Sequence, residues 1–138
     1  MNRITNYFFP NKTKEKTFKK TIPLSQRIAL QHKLFDSNPD RIPVILETFD
    51  RTLHVTKNKY LVPVEMTFNQ FVNTTRFLHI KDSDEVPITA SDAIFFYLHG
   101  AVMPPGSMLM AQVYEKYSDP EDHLLYLVVC RENTFGSI

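Results

Sequence analysis

Cysteine occurs once in the 138 residues, as Cys130, so an internal disulfide framework is excluded and a reducing compartment fits. No apolar run approaches the roughly 20 residues that a membrane-spanning helix needs. Residues 1–10 lack the continuous apolar stretch and small-residue cleavage site of a secretory signal. The expected localisation is cytoplasmic, with any membrane contact made through a surface or a covalent lipid. A formal net charge of +1 offers no whole-molecule field for nucleic acid, and none is expected as a partner. Glycine occurs three times, and neither Gly100 nor Gly106 begins a G-x-x-x-x-G-K phosphate loop. Asp82, Asp84 and Glu85 lack the glycine and terminal glutamate of a calcium loop. His32, His54, His79, His99 and His123 have no histidine partner at i+3 or i+4 and no cysteine pair, so no zinc site is expected. Cys130 ends an apolar strand, where a lone cysteine reads as a small core residue, and no cue places a histidine beside it. The expectation is a protein with no catalytic residue, metal or cofactor: not an enzyme.

What is present describes one soluble domain, with 43% hydrophobic and 22% charged residues. Lys12, Lys14, Lys16, Lys19 and Lys20 crowd a basic arm that reads either as solvated chain or as a contact for anionic lipid. A helix is expected from Pro23 to Ser37, ended by Asn38-Pro39. Projected at about 100° per residue, Leu24, Ile28 and Phe35 share one stripe and Leu30 and Leu34 another. The second stripe is either a binding surface or is covered by the segment carrying Phe18. Residues 42–49 read as a buried strand with Pro43 in its first pleat, and residues 53–62 as a second strand stopped by Pro63, together an antiparallel hairpin. Thr67-x-x-Gln70 has the spacing of a capping box, opening a helix to about Leu78. A polar loop over residues 81–87, a buried strand over 93–98 and a turn at Pro104-Pro105-Gly106 follow. Ser107 is expected to cap a helix carrying Met110, Val113, Tyr114 and Tyr117, before a last strand over 124–130. The order gives an α+β β-grasp with its first and last strands parallel at the centre. The third glycine, Gly136, follows Thr134-Phe135 and precedes Ser137-Ile138. With no Cβ it lets an extended chain enter a narrow channel, and removal of the last two residues would expose a glycine carboxylate. The plain alternative is a terminus that happens to hold a glycine.

Pro39-Asp40-Arg41-Ile42-Pro43-Val44-Ile45, Lys59-Tyr60-Leu61-Val62-Pro63, Asp92-Ala93-Ile94-Phe95-Phe96, Leu125-Tyr126 and Phe135-Gly136 occur in that order. In them the chain resembles the autophagy-related ubiquitin-like modifiers, the family of microtubule-associated light chain three and the GABA-receptor-associated protein. It resembles them as a divergent member. The resemblance implies a ubiquitin-like β-grasp with a four-stranded mixed sheet preceded by two helices, the first near Phe18. The domain would cover residues 17–136, with a basic extension over 1–16 and a tail, 137–138, removed on processing. It implies cleavage by a cysteine protease after Gly136, passage through activating and conjugating enzymes of the autophagy pathway, and amide attachment to phosphatidylethanolamine at the autophagosome membrane. The alternative is an unconjugated, soluble peptide-binding module.

The same resemblance implies binding of adaptor peptides with an aromatic residue and, three positions later, a branched aliphatic, added as a strand to the sheet edge. The aromatic pocket would use Leu30, Leu34, Pro43, Ile45, Lys59, Leu61 and Leu124. The aliphatic pocket would use Tyr60, Val62, Pro63, Met66, Phe71 and Thr74, with Arg41 also at the peptide site. Departures accompany it. Leu30 stands where an acidic residue is usual, Leu78 where an arginine is common, and Thr74 where a larger apolar residue is. His123-Leu124 replaces an aromatic pair, and residues 81–88 look like an insertion. An altered peptide preference is expected from them.

Overall fold

The computed structural model describes residues 17–99 and 102–131; Lys12, Lys14 and Lys16 of the basic arm and the Phe135-Gly136 end lie outside them, whereas Lys19 and Lys20 lie within. The elements are α1 (Phe18–Thr21), α2 (Leu24–Ser37), β1 (Arg41–Glu47), β2 (Leu53–Val55), β3 (Lys59–Pro63), α3 (Phe68–His79), β4 (Ile80–Asp82), β5 (Ile94–Leu98), α4 (Met110–Tyr117) and β6 (Leu125–Arg131). Strands β3-β1-β6-β5 form a four-stranded mixed sheet in that order. The first and last strands, β1 and β6, are parallel at its centre, with β3 and β5 antiparallel outside them. This is the expected α+β β-grasp, with two helices before the sheet.

Local chemistry accounts for the helix ends. Thr17 caps α1, its Oγ1 accepting from the Lys20 N–H at 3.1 Å. Thr67 and Gln70 form the expected capping box, Gln70 N–H donating to Thr67 Oγ1 at 3.1 Å and Thr67 N–H to Gln70 Oε1 at 2.9 Å. Ser107, by contrast, caps nothing: α4 starts three residues later, with Leu109 at its N-cap and the Leu109 N–H donating to Gln112 Oε1 at 3.0 Å. The turn before α4 is instead tied to α3. Phe68 N–H donates to the Met108 carbonyl at 2.9 Å and Asn69 N–H to the Gly106 carbonyl at 3.0 Å. A Cβ on Gly106 would meet the end of the exposed Asn69 side chain, which would have to swing aside.

Two strand expectations need correction. Residues 53–62 are not one strand, because Thr56 N–H donates to the His79 carbonyl while Leu46 N–H donates to the Asn58 carbonyl, each 2.8–2.9 Å. Between those anchors the chain leaves one ladder for another. β2 therefore pairs with β4 in a separate two-stranded sheet, and the hairpin partner of β1 is β3 alone. The stretch read as a loop from residue 81 begins as β4, which needs a partner and finds it in β2.

The sheet has two covered faces. On one, alternate residues Ile42, Val44 and Leu46 of β1, Tyr60 and Val62 of β3, and Leu125, Leu127 and Val129 of β6 pack with Phe68 and Phe71 of α3 and Met110 and Val113 of α4. On the other, Ile45 and Leu124 pack with Phe18, with Ile22, Leu30 and Tyr126 at the margin.

Helix α2 departs from the expected packing. Leu24 is exposed, Leu30, Leu34 and Phe35 are half-buried, and the helix residues most buried are Arg27 and Gln31. The cause is Asp122, which is 0% exposed. Arg27 Nη1 donates to Asp122 Oδ2 at 2.5 Å and Arg27 Nε to the Ile22 carbonyl at 2.9 Å. Tyr126 OH donates to the same Oδ2 at 2.5 Å, and the Leu124 N–H to Oδ1 at 2.9 Å. Burial, and the adjoining carboxylate, push the Tyr126 phenol far above its ordinary pKa, so it remains a donor. A carboxylate without water needs such partners, and meeting that need draws a polar helix face inward.

Arg27→Ala leaves Asp122 buried without its cation and is expected to lower stability by about 3–5 kcal/mol in urea denaturation. Amide exchange should accelerate more over residues 24–37 than in α3; equal acceleration in both would detach this contact from α2. Thr67→Ala removes only a cap, for an expected loss of about 1 kcal/mol.

Candidate functional site

β3 is an outer strand of the main sheet, and the register shows which of its groups face outward. Asp40 accepts from the Val64 N–H at 3.2 Å and Asn58 accepts from the Leu46 N–H at 2.8 Å. These contacts continue the β1–β3 register at both ends. Antiparallel pairs alternate, so Ile42/Val62 and Val44/Tyr60 are the hydrogen-bonded pairs of the ladder. Arg41/Pro63, Pro43/Leu61 and Ile45/Lys59 are the others. Both prolines fall where no N–H is required between the strands. The N–H and C=O of Lys59 and Leu61, with the Pro63 carbonyl, therefore point away from β1. Such an edge is a template for one more strand. Arg41 Nη1 stands 3.4 Å from the outward Leu61 carbonyl.

Side chains of β3 alternate between the two faces. Lys59, Leu61 and Pro63 lie on the α2 side with Pro43 and Ile45, while Tyr60 and Val62 lie on the α3 side. This divides the residues expected in the aromatic pocket from Tyr60, Val62, Met66, Phe71 and Thr74; Pro63, expected in the aliphatic set, falls on the α2 side by this alternation. Within the first set, Leu30, Leu34 and Leu61 are half-buried and Lys59 is exposed. Pro43 is buried; Ile45 and Leu124 are 1% and 0% exposed. These last two are floor under Phe18 and not open lining, and Lys59 Nζ lies 5.7 Å from the centre of the Phe18 ring. Leu30 packs against this cluster, so cover by the Phe18 segment describes it, with one side still open.

In the second set Tyr60, Val62 and Phe71 are buried, Met66 and Pro63 half-buried, and Thr74 exposed. Tyr60 packs edge-on against Phe71 and His79, with ring centres 5.5 and 5.6 Å away. Its buried hydroxyl has no hydrogen-bond partner among the described residues, and burial pushes the phenol far above its ordinary pKa. Two neighbours escape the sequence reading. Lys57 Nζ lies 5.1 Å from the centre of the Tyr60 ring, and His79 shares a 3.3 Å contact from Nδ1 to Thr56 Oγ1. Burial, then the Lys57 ammonium, hold His79 below its ordinary pKa, leaving it neutral near pH 7. No motif marks Lys57, whereas projecting residues 68–79 on a helix would have put His79 near the buried side.

Among the described residues no group of three His, Cys, Asp or Glu side chains is placed to hold a metal. No helix there is long and apolar enough to cross a membrane. Cys130 is buried in β6.

Comparison with known proteins fits this frame. Residues 26–136 match the family described as autophagy protein Atg8, ubiquitin like. The chain is similar to autophagy-related protein 8a of Arabidopsis thaliana, 36% identical over 124 residues, covering 88% of this chain and 94% of that protein. It is 37% identical over 123 residues to autophagy-related protein 8 of Dictyostelium discoideum, covering 88% and 94%. The crystal structure of Trypanosoma brucei ATG8 superposes with a TM-score of 0.65 at 28% identity, covering 86% of this chain and 96% of that one. With a β-grasp, two helices ahead of it and a family match over most of its length, this chain belongs to the Atg8 family of ubiquitin-like autophagy proteins.

Proposed function

We propose that the protein is a ubiquitin-like modifier joined through Gly136 to phosphatidylethanolamine, and that it recruits adaptors carrying aromatic-x-x-aliphatic segments to the autophagosome membrane. The observation that carries the recruiting half is the open β3 edge, with apolar positions on both faces beside it. An extended peptide gains main-chain bonds from Lys59 and Leu61, and its alternate side chains reach opposite faces. Burial of two large apolar anchors contributes roughly 3–6 kcal/mol. With edge hydrogen bonds added and the ordering of the peptide subtracted, affinity near the micromolar range, about −8 kcal/mol, follows. That suits reversible recruitment.

The conjugating half is supported by the family match, which extends through residue 136, and by the end of β6 at Arg131, five residues before Gly136. In this reading a cysteine protease hydrolyses the Gly136–Ser137 bond, removing residues 137–138. The activating and conjugating enzymes carry the glycine carboxyl as adenylate and then thioester, and the lipid amine displaces the thiol to form an amide. The reactive groups belong to those partners, so the chain itself needs no nucleophile. Two acyl chains on one lipid give stable anchoring where a single chain is marginal. The protein divides accordingly between cytoplasm and membrane.

Gly136→Ala is expected to abolish the membrane-bound form while leaving the unfolding midpoint unchanged. Mass spectrometry of membrane and soluble fractions reads the outcome; an intact Ser137-Ile138 end in both fractions under starvation supports the unconjugated module instead. Leu61→Asp places a charge at an apolar contact and is expected to weaken an aromatic-x-x-aliphatic peptide by about tenfold or more, roughly 1.4 kcal/mol. A titration showing unchanged affinity would remove Leu61 from the site.

A further inference from the structure

Two adjacent apolar residues near the end of α3 face solvent: Phe77 is 80% exposed and Leu78 is 56% exposed. Their direction follows from the helix. Phe68, Phe71 and Thr75 are its buried residues. At about 100° per residue, Leu78 lies about 50° to one side of their centre, Thr74 about 90° and Phe77 about 150°. Arg76 lies about 110° to the other side by the same period. There its Nη2 donates to the carbonyls of Thr89, at 3.0 Å, and Asp92, at 2.8 Å. Those residues lead into β5, the strand at the opposite end of the sheet from β3. Leu78 and Thr74 therefore turn toward β3, with Phe77 on the outer side of the same flank. Contact of the His79 and Tyr60 rings at 5.6 Å puts this last turn of α3 beside the beginning of β3.

We infer that Leu78 and Phe77 select an apolar side chain at the first position after the aromatic anchor of a docked peptide. The inference rests on the peptide-docking reading of the β3 edge. The aromatic site gathers around Lys59 and Leu61 and the aliphatic site around Val62, Met66 and Phe71, so the peptide runs parallel to β3. A strand sends successive side chains to opposite faces. The aromatic residue thus faces α2, and the first and third residues after it face α3. The third takes the aliphatic site. The first lies two residues back, about 7 Å along the strand, and arrives at Tyr60 and the end of α3. Its apolar neighbours there are Leu78 and Phe77; its charged neighbour is the Lys57 ammonium over the Tyr60 ring. Half-exposed Leu78 still has apolar surface to remove from water, and contact with it favours isoleucine or phenylalanine over glutamate, because an ion pair with the exposed Lys57 ammonium contributes little in water.

The test is fluorescence anisotropy of the full chain with labelled 12-residue peptides that differ only at that position, Ile against Glu. The wild-type protein is expected to bind the Ile peptide about five- to tenfold tighter, the effect of burying roughly 40–55 Å² of apolar surface. Leu78→Arg is expected to reverse the order, and Phe77→Lys to shrink the ratio; both sites are exposed, so the fold tolerates them. An unchanged ratio in Leu78→Arg, or tighter binding of the Glu peptide by wild type, overturns the inference. A third peptide with the aromatic residue changed to Ala separates the two readings. If its affinity is undiminished, or if no peptide binds, the docking reading itself falls and this inference with it. If binding needs the aromatic residue but ignores the one after it, only the selectivity falls.

Discussion

Proline lacks the amide hydrogen that a ladder requires, and Pro43 and Pro63 together fit only one hydrogen-bonding parity of the β1–β3 ladder. Their places in the β1–β3 register are both non-hydrogen-bonded ones, so antiparallel pairing proceeds without loss. On the other flank of β1, the ladder to β6 starts at Val44, just past the residue that could not have donated to it. The same parity that accommodates the prolines turns the Lys59 and Leu61 amides outward. A register shifted by one residue would exchange the two faces of β3 and bury Lys59 and Leu61 where Tyr60 and Val62 now pack. Core packing, strand pairing and the open edge are thus one constraint seen from three sides.

The buried Asp122 network plays the complementary part on the other face. Taking a carboxylate out of water is unfavourable by several kcal/mol unless it is paired and hydrogen-bonded. Arg27, Tyr126 and the Leu124 amide together supply those partners. Hydrophobic attraction alone would hold α2 weakly, since the buried side chains along it are Arg27 and Gln31. Directional bonds also fix the helix in rotation, which apolar contact does less well. The rotation matters because it leaves Leu30 and Leu34 half-buried, with Leu30 against Phe18, Ile45 and Leu124 on the face that Lys59 and Leu61 share. Phe18 is positioned by a further directional bond, its N–H donating to Glu47 Oε2 at 2.7 Å.

Much of this is legible in the sequence, and the exceptions share a cause. Thr67-x-x-Gln70 announces its own capping box because both partners lie within one turn. The parallel β1–β6 pair follows from element order and chirality. Local pattern fails where a distant partner decides. Thr56 and Asn58 are bound to His79 and Leu46, so an apparently continuous strand from residue 53 divides. Ser107 is drawn into a turn held by Phe68 and Asn69, and the helix starts later. Arg27 and Asp122 are 95 residues apart, and nothing near either one signals that it is buried. The face that each residue of β3 takes is legible, because alternation along five residues is itself local. Cover by Phe18 is one of two readings open in the sequence, because its place above Ile45 and Leu124 depends on three separate segments.

The arrangement also bears on whether the two proposed activities can operate together. In the sheet β3 is separated from β6 by β1, so the docking edge lies about 10 Å from the strand that leads to the chain end. Arg131 is fastened from both flanks of β6: its N–H donates to Asp50 Oδ2 at 3.0 Å and its Nε to Thr52 Oγ1 at 2.7 Å, both in the segment after β1, with Asp92 Oδ1, ahead of β5, 3.4 Å from Nη1. None of these groups belongs to β3 or to the last turn of α3. From Arg131 to Gly136 an extended chain reaches at most about 17 Å, enough to meet a lipid without unfolding β6. Among the described residues, a peptide strand on β3 would compete for none of the hydrogen bonds that hold Arg131, so the two proposed activities are compatible there.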